Sequence, residues 1–287
     1  MSLTLLKAWT SARDRLKAVG LDSPVIDARL LVEAASGASR LELITDPHRA
    51  LTDEQAAVLE GYLARRERRE PVARILGRKG FWKIALGLSP SVLVPRPDTE
   101  TVVQVALEAF EEHRHFSVLD LGVGSGAILL AILAERPNAR GLGVDVSDDA
   151  LAVARENAAN LGLQGRAALL RGDWTAGLEG ETFDLVVSNP PYIATAVIET
   201  LEPEVRDHEP RLALDGGADG LDAYRILAPE VLRMLKPGGI FVVEIGFDQS
   251  KAVEALFREA GGAEVRTVKD LANRDRVVTG AKNPLEN

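Results

Sequence analysis

From residue 117 onward, short apolar segments typical of strands alternate with longer segments typical of helices. The strands are predicted at residues 118–121, 141–144, 167–170, 183–187 and 240–245, and the helices at residues 127–135, 148–160 and 220–236. This alternation requires a parallel sheet with right-handed crossovers and helices on both faces. Two weaker strands, at residues 264–268 and 276–279, predict a final antiparallel hairpin. The sequence therefore predicts an α/β fold around a seven-stranded, mostly parallel sheet.

The N-terminal part of the chain contains helix signals only. Ser23 precedes Pro24 as a helix start, and Thr52 with Gln55 forms a capping box. We therefore expect a small all-helical domain over residues 1–74. A basic run lies near its end and consists of Arg65, Arg66, Arg68 and Arg69. We interpret this run as a solvated helix face, and docking of an acidic partner is the alternative.

Residues 75–95 differ from the segments on either side, because glycines separate short extended pieces. These pieces are predicted as strands at residues 75–76, 81–84 and 92–94. The pattern predicts a β-hairpin linker over residues 75–95. The α/β domain is then expected over residues 96–287.

Composition limits the classes of function. The 287-residue chain has no cysteine, which excludes disulfides and thiolate metal sites, and we expect no metal. A formal net charge of −9 argues against broad nucleic-acid binding, because phosphate contacts need Lys and Arg. The N-terminus lacks a signal-peptide pattern, and the longest apolar run, residues 127–134, is too short to cross a bilayer. We therefore expect a cytoplasmic protein without a membrane or a stable nucleic-acid partner.

A glycine-rich segment follows the first strand of the predicted sheet and leads into a helix. Gly122, Gly124 and Gly126 alternate with Val123 and Ser125, which allows a tight turn and close approach of a ligand to the backbone. We expect these five residues to bind a cofactor. The segment is also compatible with a dinucleotide-binding pattern, and a strand-to-helix turn without any ligand is the simplest alternative.

Acidic and aromatic side chains follow the next two predicted strands. Asp145 lies about 20 residues beyond the glycine-rich segment, where a carboxylate can accept hydrogen bonds from a ribose diol. Asp173 and Trp174 end the third strand, where an adenine ring can lie. Each side chain has another explanation, because Asp145 could cap the following helix and Trp174 could belong to the core. Their order along the chain favours a ligand that contains adenosine.

The fourth predicted strand ends in the tetrapeptide Asn189-Pro190-Pro191-Tyr192, whose prolines stop the strand. In a doubly wound sheet the first and fourth strands are neighbours, so Asn189 is expected beside the glycine-rich segment. The Asn189 side-chain oxygen and the Pro190 carbonyl can accept the two N–H bonds of a planar amide, and Tyr192 can stack on it. This pattern favours methyl transfer from S-adenosylmethionine to nitrogen over an NAD-dependent reaction.

With these motifs the chain resembles the release-factor glutamine N5-methyltransferases. This PrmC/HemK family belongs to the class I (Rossmann-like) methyltransferases that use S-adenosylmethionine. The resemblance covers nearly the whole chain, and Gly80 stands where the family has an acidic residue. Besides the glycine-rich segment and the tetrapeptide, it rests on residues 92–100, 209–217, 235–239 and 244–249.

The resemblance implies a cofactor site and a substrate site at one edge of the sheet. S-adenosylmethionine and its product S-adenosylhomocysteine would be held by Gly122, Val123, Gly124, Ser125, Gly126, Asp145, Asp173, Trp174 and Asn189. The glutamine of a Gly-Gly-Gln loop in peptide chain release factors would be held by Asn189, Pro190, Pro191 and Tyr192. Of these, Asn189, Pro190 and Tyr192 would be catalytic. The helical domain would help to dock this protein substrate.

Other functions are compatible with parts of the pattern. A sister family methylates a glutamine of a ribosomal protein, but its corresponding segment reads Pro-Arg-Ser where residues 95–100 read Pro-Arg-Pro-Asp-Thr-Glu. Adenine-N6 DNA methylation would use the tetrapeptide on a flipped base but would need a basic recognition domain. An NAD-dependent oxidoreductase leaves the tetrapeptide unexplained, and a non-catalytic adaptor disagrees with the intact glycine-rich segment.

Overall fold

The structure is a computed structural model of the chain, and it describes residues 3–180 and 182–284. The chain divides into two compact units. Unit 1 comprises Met1–Arg78 and Pro203–His208, and unit 2 comprises Lys79–Glu202 and Glu209–Asn287. No described helix has the length and apolar character needed to span a membrane.

The secondary structure contains helices α1 to α12 and strands β1 to β9. The helices are α1 (Leu5–Ala18), α2 (Pro24–Ser36), α3 (Arg40–Thr45), α4 (Asp53–Glu67), α5 (Val72–Leu76), α6 (Glu100–Glu108), α7 (Ala127–Glu135), α8 (Asp148–Asn160), α9 (Thr195–Ile198), α10 (Pro203–Arg206), α11 (Asp222–Met234) and α12 (Ser250–Glu259). The strands are β1 (Arg78–Phe81), β2 (Ile84–Gly87), β3 (Ser117–Leu121), β4 (Arg140–Asp145), β5 (Ala167–Arg171), β6 (Phe183–Ser188), β7 (Leu235–Glu244), β8 (Gly262–Lys269) and β9 (Asp275–Lys282). Single turns of 3-10 helix occupy Pro97–Thr99 and Arg211–Ala213.

Unit 1 is built from α1 to α5 and the short helix α10. The Thr52 hydroxyl accepts a hydrogen bond from the Gln55 backbone, and the Gln55 side chain accepts one from the Thr52 backbone. This confirms the predicted capping box. Pro24 opens α2 directly after Ser23, as predicted. The helices bury their apolar faces in one core, in which Leu16 is fully buried.

The basic run at the end of α4 is largely paired within unit 1. Arg66 is only 7% exposed, and its guanidinium lies 2.8 Å from Asp27 and 3.1 Å from Glu204. Arg69 also pairs with Glu204, at 3.3 Å, and Arg65 pairs with an acidic residue of the same segment. The interpretation of the run as a solvated helix face is therefore wrong for these arginines, because their charges are matched inside the unit.

Unit 2 is organised around a seven-stranded sheet with the strand order β5-β4-β3-β6-β7-β9-β8. Strands β3 to β7 pair in parallel, and β9 pairs antiparallel with both β7 and β8. The predicted α/β fold, its seven strands and the final hairpin are confirmed. Helices α7 and α8 begin and end at the predicted residues. The first and fourth strands of the sheet, β3 and β6, are neighbours as expected.

Both faces of the central strands are buried. Val118 of β3 and Leu185 of β6 pack into a core that contains residues of α6 and α7. Leu119 and Val186, the next residue of each strand, pack on the opposite face with residues of α11 and α12. Successive side chains of a strand point to opposite faces. Burial on both faces therefore explains the continuous apolar runs that predicted these strands.

The linker differs from the prediction at both of its ends. Residues 75–76 belong to α5, which ends at Gly77 in the left-handed region (φ 65°), so the strand predicted there is wrong. Strands β1 and β2 do form a two-stranded hairpin, but Trp82 and Lys83 form its turn, so the single strand predicted at residues 81–84 is wrong. Residues 92–94 form no strand, because the Val94 amide donates to the carboxylate of Glu209 at 3.1 Å instead of to a neighbouring strand.

The helix predicted at residues 220–236 is shorter than expected. It spans Asp222–Met234, because β7 already begins at Leu235. Leu235 pairs with Phe183 at the start of β6, and the register shifts before the next paired residues. The Pro-Gly-Gly segment therefore lies within the first part of a strand and does not follow a helix directly.

Candidate active site

The ends of β3 and β6 bring the two main sequence motifs together. Leu121, the last residue of β3, pairs with Ser188, the last residue of β6. The buried Ser188 hydroxyl donates to the Leu121 carbonyl at 2.7 Å, which fixes the two strand ends to each other. The chain then continues as Gly122 on one strand and Asn189 on the other. The glycine-rich segment and the tetrapeptide therefore start side by side.

The glycine-rich segment adopts a conformation that favours glycine. Gly122, Gly124 and Gly126 all lie in the left-handed region, with φ values of 75°, 54° and 84°. A Cβ atom on Gly126 would come within 2.8 Å of the Leu130 side chain. The Gly122 amide donates to the Val144 carbonyl at 2.9 Å, which ties the segment to β4. The turn therefore needs glycine for both backbone conformation and space.

Asp145 ends β4 and holds the glycine-rich segment in place. Its Oδ2 accepts from the Gly124 amide at 2.9 Å, and its Oδ1 accepts from the Ser147 amide at 2.9 Å. Ser147 caps α8, so the capping role considered for Asp145 is wrong. A carboxylate oxygen can accept more than one hydrogen bond, and the half-buried Asp145 still has acceptor capacity for a diol.

A cavity of about 490 Å³ opens at this edge of the sheet. The predicted site residues that line it are Gly122, Val123, Gly124, Ser125, Asp145, Asp173, Trp174, Asn189 and Pro191. Three predicted site residues, Gly126, Pro190 and Tyr192, are not among the residues that line it. Trp174 is half-buried and has a positive φ of 51°, which places it at an irregular turn after β5.

The side chain of Asn189 is held by a residue that the sequence did not reveal. Its Nδ2 donates to the hydroxyl of Thr99 at 3.3 Å. Thr99 ends the 3-10 turn after the linker, is 3% exposed and lines the same cavity. With the NH₂ group directed at Thr99, the amide oxygen of Asn189 is the atom that can accept a hydrogen bond from a ligand.

Tyr192 is anchored by its hydroxyl group at the back of the site. The hydroxyl donates to Oε1 of Glu244 at 3.3 Å, and burial raises the pKa of Tyr192 well above its ordinary value. Its backbone carbonyl accepts from the Gln249 side chain at 3.0 Å. The predicted stacking of Tyr192 on a substrate stays a prediction, and Glu244 and Gln249 are its structural partners.

Two buried carboxylates lie behind the site, and neither was assigned a role from the sequence. Glu244, at the end of β7, is 1% exposed, and burial raises its pKa to about 7. Asp120, in β3, is also 1% exposed, and burial raises its pKa to about 7 while the Leu129 amide donates to its Oδ2. Carboxylates with raised pKa values are found at functional sites as well as in cores.

The segment before α6 contributes a further wall of the cavity. Val92, Pro95 and Arg96 line the cavity although none was predicted as a site residue. Arg96 donates to the fully buried carboxylate of Glu209 at 3.0 Å, and the Val94 amide donates to the same carboxylate. Glu209 therefore fixes this wall. In the sequence, this wall was indicated by the family resemblance of the segments at residues 92–100 and 209–217.

Known proteins match the chain along nearly its whole length. A family model described as "PrmC N-terminal domain" matches residues 7–77, and one described as "Methyltransferase domain" matches residues 112–276. A release factor glutamine methyltransferase of Caulobacter vibrioides is 70% identical over 286 residues, which cover 100% of this chain and 99% of that protein. The chain belongs to the release factor glutamine methyltransferase family. The family resemblance predicted from the sequence motifs is confirmed.

More distant members of this family match over similar lengths. The release factor glutamine methyltransferase of Rhodospirillum rubrum is 49% identical over 262 residues, with 91% of this chain and 80% of that protein covered. That of Geobacter sulfurreducens is 41% identical over 277 residues, with 96% of each covered. A solved methyltransferase structure from Pyrococcus furiosus is 20% identical with a TM-score of 0.51 and covers 69% of this chain and 88% of its own. That likeness supports the methyltransferase fold.

Proposed function

We propose that this chain transfers the methyl group of S-adenosylmethionine to the side-chain nitrogen (N5) of the glutamine in the Gly-Gly-Gln motif of peptide chain release factors. The observation that carries the proposal is the position of Asn189. It follows β6 directly beside the glycine-rich segment, and its NH₂ group is directed at Thr99. Its amide oxygen is thus available to a substrate N–H group beside the proposed cofactor site.

The residues at the edge of the sheet fit S-adenosylmethionine. The cavity of about 490 Å³ lies within the size range of small-molecule sites. Gly122 and Gly124 have positive φ values and no Cβ atoms, so a ligand can approach the backbone closely. The Asp145 carboxylate retains acceptor capacity for a ribose diol, and the Trp174 ring lines the same cavity.

S-adenosylmethionine, when bound, supplies a methyl group on a positively charged sulfur. The task of the protein is to position an amide nitrogen whose lone pair is delocalised into its carbonyl group. The Asn189 side-chain oxygen and the Pro190 carbonyl would each accept one N–H bond of this amide, which fixes its orientation. Methyl transfer first gives an N-methylated amide cation. This cation is acidic and loses its proton readily, so no strong base is needed. Pro191 and Tyr192 would complete the substrate pocket.

The proposal also assigns a partner and a compartment. Release factors are protein substrates, and we propose that residues 1–74 help to dock them. The net charge of −9 disfavours DNA, on which the same tetrapeptide could act at a flipped adenine. Release factors act where translation ends. The proposed substrate therefore implies that the protein acts in the cytoplasm.

The test uses methyl-labelled S-adenosylmethionine with purified release factor as the acceptor. We expect label on the release factor with the wild-type enzyme and a loss of at least about a hundredfold with Asn189→Ala, since the amide would lose its main acceptor. S-adenosylhomocysteine should raise the melting temperature of both proteins, and NAD should not. Label transfer that survives Asn189→Ala would contradict the role of Asn189, and stabilisation by NAD alone would contradict the methyltransferase assignment.

A further inference from the structure

We propose that Gln249 is a positioning residue for the substrate, because its side chain fixes the end of the tetrapeptide that forms the substrate pocket. The inference rests on the proposed function, in which Pro190 and Pro191 contact the substrate. Gln249 directly precedes α12 and is not among the described residues that line the cavity, so it acts through the tetrapeptide. Its structural part concerns the backbone of the tetrapeptide and can be measured without any substrate.

The half-buried Gln249 carboxamide joins three separate segments of the chain. Its Nε2 donates to the Tyr192 carbonyl at 3.0 Å and to the Gly220 carbonyl at 3.1 Å. Its Oε1 accepts from the Gly246 amide at 3.0 Å. Both N–H donors and the oxygen of the carboxamide are therefore used. A flipped carboxamide would place its oxygen against two carbonyl oxygens, so the side chain has one favourable orientation.

The tetrapeptide depends on anchors at its two ends. Pro190 and Pro191 have no N–H group, so neither can donate a hydrogen bond that would fix the backbone between the ends. At the first end, the Ser188 hydroxyl bonds to the last residue of β3 at 2.7 Å. At the second end, Gln249 bonds to the Tyr192 carbonyl. Because the proline rings fix φ at about −65°, the positions of these ends largely determine where the Pro190 carbonyl points.

The peptide group between Tyr192 and Ile193 is bonded on both of its sides. Its N–H group donates to the Leu214 carbonyl at 2.9 Å, and its carbonyl accepts from Gln249. Of these two bonds, the second comes from a side chain and is the one that a substitution removes. Without it, the peptide group can rotate about the remaining hydrogen bond. Such a rotation would move Pro191 and turn the Pro190 carbonyl.

Two glycines pack against the same stretch of backbone. Gly220 has a φ of 76°, and a Cβ atom there would clash with the Tyr192 carbonyl oxygen and lie 2.8 Å from Nε2 of Gln249. A Cβ atom on Gly216 would lie 2.9 Å from the Pro191 carbonyl oxygen. The contact between Gln249 and the tetrapeptide therefore needs the absence of a side chain at Gly220.

The expected consequence is confined to the acceptor side of the reaction. Methyl transfer requires the substrate nitrogen in line with the methyl–sulfur bond, and a misplacement of about 1 Å can lower the rate about a hundredfold. The glycine-rich segment is held by other residues, since Gly122 bonds to Val144 and Gly124 bonds to Asp145. Loss of the Gln249 contact should therefore lower turnover of the release factor and leave cofactor affinity unchanged.

The first test compares Gln249→Met with the wild-type enzyme, because methionine has a similar length without the carboxamide. We expect kcat/KM for the release factor to fall by about tenfold to a hundredfold. The affinity for S-adenosylhomocysteine, measured by calorimetry, should be unchanged. Gln104→Met is the matched control, since Gln104 lies at the surface of α6 and donates to Glu108 one turn away. Unchanged kcat/KM in Gln249→Met, or an equal loss of cofactor affinity, would overturn the proposal.

The second test disrupts the same contact from the opposite side. In Gly220→Ala the new methyl group would displace the Gln249 side chain from the Tyr192 carbonyl. Gly162→Ala is the control, because Gly162 has a similar φ of 70° and nothing lies within 4 Å of a Cβ atom there. We expect kcat/KM to fall in Gly220→Ala as in Gln249→Met, and to stay unchanged in Gly162→Ala. Equal values for the two alanine variants would overturn the proposal.

Hydrogen exchange of the Ile193 amide tests the anchoring without substrate. Its protection should fall by about tenfold or more in Gln249→Met and Gly220→Ala, because the peptide group is then held on one side only. Protection should be unchanged in Gln104→Met and Gly162→Ala. Wild-type protection in Gln249→Met would overturn the proposal. Failure of the release factor as acceptor of the wild-type enzyme, with the exchange result as expected, would refute the proposed function and leave the anchoring by Gln249 intact.

Discussion

The amide nitrogen of Gly124 donates a hydrogen bond to Oδ2 of Asp145 at 2.9 Å. The bond joins the segments that follow two neighbouring strands, β3 and β4, and it makes the shape of the glycine-rich turn depend on a carboxylate. The other carboxylate oxygen accepts from the Ser147 amide. Asp145 therefore supports the proposed cofactor site through both of its carboxylate oxygens. Its replacement should lower the affinity for the cofactor more than it lowers turnover.

Replacement of Asp145 by alanine should weaken S-adenosylhomocysteine binding by about tenfold to a hundredfold, because the diol and the Gly124 amide both lose an acceptor. Calorimetric titration measures this affinity. Asp148→Ala is the matched control, since Asp148 is the exposed partner of a surface pair with Arg171. Equal affinities of the Asp145 variant and the wild type would mean that Asp145 only supports the turn.

Replacement of Gly126 by alanine should lower the free energy of unfolding by about 1–3 kcal/mol. The new side chain would require a positive φ of 84° and would come within 2.8 Å of Leu130. Urea denaturation measures the change. Gly165→Ala is the control, because nothing lies within 4 Å of a Cβ atom there. A similar small effect in both variants would show that the turn tolerates a side chain.

The pH dependence of stability should reveal the buried Asp120. Burial raises its pKa from 3.8 to about 7, so the folded state holds this proton more tightly than the unfolded state. The resulting stabilisation is complete below a pH of about 4 and is lost as the pH rises through about 7. Between pH 5 and 8 the free energy of unfolding of the wild type should fall by on the order of 2 kcal/mol more than that of Asp120→Asn. Urea denaturation at each pH measures this difference. Parallel losses in the two proteins would place the pKa of Asp120 in its ordinary range.

Removal of the Arg66 side chain should destabilise unit 1. Arg66→Ala would leave the Asp27 carboxylate without its buried partner and Glu204 paired with the more exposed Arg69, at a cost of about 3 kcal/mol or more. The midpoint of thermal unfolding measures this effect. Arg13→Ala is the control, because its pair with Asp14 lies at the surface and should contribute little. If the two variants unfold alike, the buried pair adds no net stability.

The sequence predicted those parts of the structure that depend on local patterns. The lengths and positions of apolar segments located α7, α8 and the sheet strands, and the glycines located the turn after β3. The adjacency of the first and fourth strands followed from the general rules of doubly wound sheets. Asn189 was placed beside the glycine-rich segment by the same rules, and the register of β3 and β6 agrees.

Contacts between distant residues could not be predicted in this way. Thr99 is 90 positions from Asn189, and Glu204 is 138 positions from Arg66, so no local pattern relates these partners. Residues 75–76 resembled a strand because both are apolar, but Pro71 and Gly77 define a short helix there. Buried polar partners and short helices of this kind are determined by tertiary packing.

The site of methylation in the substrate tests the central claim most directly. Release factor, ribosomal protein and DNA are each incubated with the enzyme and S-adenosylmethionine, and the products are analysed by mass spectrometry. The account predicts a methyl group on the glutamine of the Gly-Gly-Gln motif of the release factor, and none after Asn189→Ala. A methyl group on DNA adenine or on the ribosomal protein, with the release factor unmodified, would contradict it.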